Sequence, residues 1–179
     1  MARKISLNSA YGAIGNQYFR YYDKAIAEGI TKSGQLSIRW IENRLNKYLN
    51  NILKTDEDYV IASDTDSVYL TLDKLVTKTI KSDNALSKTI NFLDKVASES
   101  IEPYITKSYD ELKQYTNAFA NKMFMKREVI ADKGIWVAKK RYILNVWNSE
   151  GVSYKEPKLK MMGIEAVSYT HLTLPTIDR

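Results

Sequence analysis

Cysteine is absent from this sequence of 179 residues and histidine occurs once, at His171. These two shortages exclude disulfide frameworks, thiol nucleophiles and Cys/His zinc sites. They also exclude a Ser-His-Asp triad and an H-E-x-x-H metal site, because the body of the chain has no imidazole to offer. No run approaches 18 consecutive apolar residues, and the opening MARKISLNSA has no apolar stretch of signal-peptide length. With 44% hydrophobic and 27% charged residues, the composition is that of a folded globular chain with enough length to bury a core. What chemistry remains belongs to carboxylates, Lys, Arg, Tyr and oxygen-bound metal ions.

The excess of positive charge is local. Of 27 basic residues, ten lie between 122 and 160, against four acidic ones, whereas residues 1–121 are nearly balanced. Tyr142, Trp147 and Tyr154 are interleaved with them. Basic residues mixed with aromatics suit a phosphate backbone, because each neutralised phosphate releases counterions. A solvated Lys-rich sheet face would look the same by charge alone.

Periodicity supplies the elements. Lys4, Asn8 and Tyr11 share one face if residues 3–14 form a helix. Apolar residues from Leu36 to Ile52 predict an amphipathic helix over 33–53. Two short β-type runs, 59–62 and 68–72, flank the polar segment 63–67 and predict a hairpin. Helical spacing returns over 86–115, with Pro103 expected to kink or split it. Residues 122–147 read as two or three antiparallel strands, the first beginning at Met123. The order of elements predicts an α+β fold, an antiparallel sheet with helices packed on one face.

Asp64 and Asp66 are the sharpest local feature. In an extended segment residues i and i+2 point the same way, which would bring both carboxylates together at the hairpin tip. Like charges about 4 Å apart repel by about 1 kcal/mol in water and about 4 kcal/mol at an effective dielectric near 20. A cation between them, or protonation of one, relieves this. Mg²⁺ or Mn²⁺ is the natural cation for oxygen ligands, and a pair of such ions suits phosphoryl transfer. A bare D-x-D is also ordinary turn chemistry, and it is the flanking strands that raise its interest. Glu128 is a candidate third acid, although taken alone it reads more readily as a surface strand carboxylate.

These pieces together resemble family B DNA polymerases. Lys4-Ile5-Ser6-Leu7-Asn8-Ser9-Ala10-Tyr11-Gly12 is similar to their K-x-x-x-N-S-x-Y-G fingers motif. Ser63-Asp64-Thr65-Asp66-Ser67 is similar to the palm hairpin Y-G-D-T-D-S, and Lys139-Lys140-Arg141-Tyr142 to the K-K-R-Y motif that grips primer-template. The resemblance covers about residues 2–166, and its wording is nearest to replicative polymerases of tailed bacteriophages.

The resemblance implies DNA-directed DNA polymerase activity, with partial fingers at 1–15, palm at 16–156 and the start of the thumb at 157–166. By the same implication Lys4, Asn8, Tyr11 and Gly12 bind the nucleotide, and Asp64 and Asp66 hold two Mg²⁺ or Mn²⁺ ions. Glu128 joins Asp64 and Asp66 as a catalytic acid, and Lys139, Lys140, Arg141, Tyr142, Lys158 and Lys160 contact DNA. Implied partners are primer-template DNA, a dNTP and a sliding clamp reached through regions beyond these residues, in the host cytoplasm and away from membrane. Another palm-type two-metal phosphotransferase, such as a nucleotide cyclase, and a non-catalytic nucleic-acid-binding module are the alternatives.

Three departures accompany the resemblance. Ser63 stands where the family usually has Gly, and the stretch from Glu128 to Lys139 is short. Nothing resembles the D-x-x-S-L-Y-P-S motif that carries the second metal-binding Asp, so the sequence reads as a piece beginning within the fingers and inactive alone. Residues 167–179 (VSYTHLTLPTIDR) read as a translated sequencing adapter, a non-native tail.

Overall fold

A computed structural model describes residues 2–80 and 86–164, with the side chains of residues 2–4, 7 and 8 outside the described set. The expected non-native tail, His171 included, lies outside the described residues. The chain forms two compact units, one ending at Arg127 and one starting at Glu128.

The first unit is built on a long helix. After α1 (Ala2–Ile14), α2 runs Lys24–Leu53, 30 residues, beginning well before the predicted residue 33. Asp23 starts it by accepting the Ile26 N–H at 3.0 Å, an N-cap that satisfies one of the orphan donors of the first turn. Ser37, Ile41, Leu45, Leu49 and Leu53 are its buried residues, one every fourth position, so a single stripe faces inward. The next strands, β1 (Val60–Asp64) and β2 (Ser67–Leu70), form the antiparallel hairpin. A short helix that periodicity did not reveal, α3 (Asp73–Thr79), comes after them.

Helical structure resumes with α4 (Leu86–Val96) and α5 (Glu102–Tyr115), joined by a wider π-helical turn at Ala97–Ile101. Pro103 lies in the first turn of α5, where its missing N–H costs least, and the widened turn just before it makes room for the ring. The expected interruption is therefore a π turn. Ile41 and Leu45 of α2 bury themselves with Ile105, Tyr109 and Leu112 of α5, and Val68, Leu70 and Leu72 pack against that cluster. Each fully buried Leu or Ile contributes roughly 1.5–3 kcal/mol. Trp40 adds a bond between the helices, its indole N–H donating to the Ser108 carbonyl at 3.0 Å.

The second unit is a three-stranded antiparallel sheet in the order β3 (Val129–Ala138), β4 (Arg141–Ser149), β5 (Val152–Met162). The α+β class holds, but the described strands form two sheets where one was expected. Residues 121–128, expected to begin a strand at Met123, are irregular. Side chains have taken over their bonding: Glu102 accepts the Arg127 N–H at 2.9 Å, Arg127 pairs with Asp94, and Met125 enters the core.

Tyr142, Leu144, Val146 and Asn148 alternate on the buried face of β4. A Cβ at Gly134 would lie 2.6 Å from the Trp136 ring and 2.8 Å from Leu144, so glycine lets the indole lie across this face. Gly163 has φ +62°, and a Cβ there would lie 2.3 Å from the Lys140 carbonyl oxygen. The end of β5 is thus seated on the β3–β4 turn. Gly163→Ala is expected to destabilise the second unit by about 2 kcal/mol, from combined strain and overpacking. Faster amide exchange at residues 139–141 would report it, and unchanged exchange would contradict the seating.

Candidate functional site

The β1–β2 ladder extends to the pair Asp64 and Ser67, leaving Thr65 and Asp66 as a two-residue turn. Thr65 has φ +57°, an uncommon conformation for a β-branched residue. The Asp66 N–H donates to the Asp64 carbonyl at 2.6 Å, closing a three-residue turn around Thr65. Two hydroxyls brace it: Ser67 donates to the same carbonyl at 3.1 Å, and Thr65 to Asp64 Oδ1 at 3.1 Å. The extended geometry that would have aligned Asp64 and Asp66 is therefore broken at Thr65. Asp64 ends a strand half-buried, while Asp66 projects from the turn, exposed.

Among the described residues no three acidic side chains cluster tightly enough to enclose a metal ion. Two hard carboxylates on a braced turn nevertheless fit Mg²⁺ or Mn²⁺. Mg²⁺ commonly takes one or two protein carboxylates and completes its octahedron with water and substrate phosphates.

Behind the turn lies Tyr109 of α5, 4% exposed. Burial raises its phenol pKa above the ordinary value, and the Asp66 carboxylate raises it further. The folded state thus keeps a proton that the unfolded chain loses near pH 10, so this contribution to stability is present below pH 10 and lost as pH rises through the raised value. Tyr109→Phe is expected to flatten the fall in stability above pH 10. Asp66→Asn should bring Tyr109 back toward an ordinary titration, as followed by NMR of labelled tyrosine; an unmoved midpoint would separate the two groups.

On α1, Lys4 and Asn8 lie one helical turn apart with Tyr11 a further turn on; the side chains of Lys4 and Asn8 are outside the described residues. The Tyr11 hydroxyl is 2.6 Å from Thr31 Oγ1 on α2. Because Thr31 donates its own proton to the Ala27 carbonyl at 3.1 Å, Tyr11 is the donor to Thr31. Sequence reasoning missed Thr31, since a hydroxyl in mid-helix gives no local signal of a partner 20 residues away. Nothing lies within 4 Å of where a Cβ of Gly12 would be.

In the second unit Lys139 and Lys140 form the exposed two-residue turn between β3 and β4, with Arg141 exposed beside them. Lys140 has φ +61°. Tyr142 is instead buried, at 7% exposure, opposite Trp136 and Met162 on the neighbouring strands. On β5, Lys158 stands 4.2 Å over the Tyr154 ring, and Lys160 lies 3.4 Å from the Glu128 carboxylate. Glu128 precedes β3 and does not lie on a strand; its carbonyl accepts the Glu150 N–H at 2.7 Å. Two residues expected in separate roles, an acid for catalysis and a base for DNA, are here partners in one ion pair.

Comparison with known proteins bears on what these features serve. The family model for DNA polymerase family B matches residues 1–102, which include both α1 and the aspartate hairpin. The DNA-directed DNA polymerase of Escherichia phage RB69 is 46% identical over 173 residues, and that of Enterobacteria phage T4 is 44% identical over 176. Each alignment covers 91% of this chain but 19% of the relative, so the chain spans about a fifth of the length of these curated relatives. A DNA polymerase of Choristoneura biennis entomopoxvirus is 25% identical over 137 residues, covering 61% of this chain and 14% of its own length.

Proposed function

This chain belongs to DNA polymerase family B, and from that premise we propose that it contributes the palm hairpin and part of the fingers to a DNA-directed DNA polymerase of bacteriophage type. In the reaction the primer 3′-hydroxyl attacks the α-phosphate of a dNTP and pyrophosphate leaves. The observation that carries this reading is the braced turn displaying Asp64 and Asp66 from a helix-supported hairpin.

Divalent ions, Mg²⁺ or Mn²⁺, would supply activation of the attacking oxygen and charge neutralisation at the leaving group. Asp64 and Asp66 would hold them, with Thr65 fixing Oδ1 of Asp64 and leaving its Oδ2 to bind. Lys4 and Asn8 would meet the triphosphate from one face of α1. Tyr11, steadied by Thr31, and the open surface at Gly12 would meet the nascent base pair.

Lys139, Lys140 and Arg141 would meet backbone phosphates, and contacts of that kind position DNA without reading its sequence. Tyr142 would support this turn from the buried face. Lys158 and Lys160 of β5 would add further phosphate contacts, and Glu128 would act by orienting Lys160. Residues 1–15 are assigned to fingers, 16–156 to palm and 157–166 to the start of the thumb, a boundary that falls inside β5. No described helix is long and apolar enough to cross a membrane. Action on DNA in the host cytoplasm, with a sliding clamp as a further partner, belongs to the same proposal.

The test is primer extension by the polymerase polypeptide that contains this segment. The expected result is templated incorporation that requires a divalent cation. Pyrophosphate release from a nucleoside triphosphate without any primer-template would point to a cyclase instead. Salt-sensitive DNA binding with no nucleotidyl transfer would leave a binding module.

A further inference from the structure

The segment that delivers the chain from α2 into β1 is held by two asparagine side chains. At the end of α2, Lys54 adopts φ +53° and the chain turns back along the helix it has just left. Asn50 then bonds Glu57 at two points, accepting its N–H at 2.9 Å and donating to its carbonyl at 2.8 Å. The same Asn50 Oδ1 also accepts the Thr55 hydroxyl at 3.0 Å. One helical turn earlier, Asn46 accepts the Tyr59 N–H at 2.9 Å and donates to Asp58 Oδ1 at 2.8 Å. Asp58 Oδ1 in turn accepts the Val60 N–H at 3.0 Å.

The spacings explain why two amides suffice. Residues four apart on a helix are about 6 Å apart along its axis, and residues two apart in an extended chain are about 6.6 Å apart. Asn50 and Asn46 can therefore grip Glu57 and Tyr59 in succession, and no intermediate register satisfies both. The grip fixes Tyr59 with its ring buried among Leu49 and Leu53, and the Tyr59 carbonyl then accepts the Thr71 N–H at 2.9 Å from the far end of the hairpin. Beyond it, Val60, Ala62 and Asp64 lie on the half-buried face of β1, and Ile61 and Ser63 on the exposed one. The pairing with β2 shifts by one residue between Val60 and Ala62, yet burial alternates without a break from Val60 to Asp64. A slip of one residue at the grip would therefore exchange these sets and carry Asp64 to the wrong face.

We propose that Asn46 and Asn50 are positioning residues of the transfer site, setting the phase in which β1 leaves α2 and hence the face on which Asp64 stands. Neither residue touches the reacting groups. The inference rests on the reading of Asp64 and Asp66 as the metal-binding pair, but the register claim stands on the hydrogen bonds alone.

The test uses Asn46→Asp, Asp58→Asn and the two combined. Asn46→Asp sets a carboxylate against Asp58 and removes the donor between them; the double variant restores one donor and one acceptor with their roles exchanged. In the 179-residue chain, amide exchange at Val60, Ala62 and Ser67–Leu70 should speed up in Asn46→Asp and recover in the double variant.

In the parent polymerase, Asn46→Asp should lower kcat by about tenfold to 10²-fold, the scale of a 1 Å misplacement, and raise the Mg²⁺ concentration needed for half-maximal rate. The double variant should restore both. An Ile105→Val variant, which weakens the core away from these amides, should leave the Mg²⁺ requirement unchanged. Unaltered exchange in Asn46→Asp, absence of recovery in the double variant, or an equal shift of the Mg²⁺ requirement in Ile105→Val would each overturn the proposal. If the unsubstituted polymerase itself needed no divalent cation, the metal-binding reading would fall while the exchange result still judged the register.

Discussion

Asp66→Asn, introduced into the polymerase that carries this segment, is expected to lower primer extension by about 10³-fold or more while leaving duplex affinity within about twofold. The substitution changes no volume. It removes the negative charge at an exposed turn position, so folding should be little affected. What it takes away is half of the carboxylate charge that the turn offers to a cation, and electrostatic stabilisation of a transferring phosphoryl group is worth several kcal/mol. Asp64→Asn should act in the same direction, with an added structural cost because Asp64 Oδ1 accepts the Thr65 hydroxyl. Rates should be compared at saturating primer-template and dNTP, so that a loss in kcat is separated from a change in binding. A variant that extends primers normally would remove Asp66 from the mechanism.

Replacing both Lys139 and Lys140 with Gln should have the opposite signature. Extension at saturating DNA would persist, and binding would weaken. Both side chains are exposed on a two-residue turn, and the substitution removes the charge while keeping a polar, uncharged side chain there. If each lysine neutralises one phosphate, the slope of log affinity against log salt should flatten by about two units, at about 0.9 per phosphate. At 0.1 M salt the loss should be about tenfold or more, and equal for duplexes of unrelated sequence, because phosphate contacts carry no base information. Fluorescence anisotropy over a range of salt measures both quantities. An unchanged slope would make this turn a solvated surface and leave the basic stretch of 122–160 without its assigned role.

The parts of the molecule legible in the sequence are those held by local rules. The fourth-residue stripe of α2 could be read because burial follows helical period, and the hairpin because two apolar runs flank a polar turn. The first nine residues of α2 escaped that reading. Lys24 to Lys32 carry no buried stripe, and their helix rests on the Asp23 cap and on continuity with the buried turns that begin at Ser37. Met123 to Arg127 looked like a strand by composition, yet Glu102 and Asp94 bond Arg127 and Met125 fills the core, all tertiary partners that no local window contains.

The candidate site divides in the same way. Asp64, Asp66, Lys139, Lys140 and Arg141 were visible as clustered charge. The left-handed Thr65 that sets the relative direction of the two aspartates was not. Nor were Thr31, Asn46 and Asn50, isolated polar residues whose partners become evident only once the chain has folded back. Tyr142 belongs to the recognised K-K-R-Y pattern, but strand alternation puts it on the buried face, a consequence of where β4 begins. Glu128 and Lys160 were each singled out, and their pairing could not have been foreseen from residues 32 positions apart.

The claim on which the mechanism turns is that the β1–β2 turn binds divalent cations through Asp64 and Asp66. Paramagnetic broadening of backbone amide signals during a Mn²⁺ titration of the 179-residue chain tests it directly, because the effect registers weak binding and falls steeply with distance. Signals of Asp64, Thr65, Asp66 and Ser67 should broaden first, and the combined Asp64→Asn and Asp66→Asn chain should lose that selectivity. Broadening that spares the turn, or that persists there without either carboxylate, would contradict it.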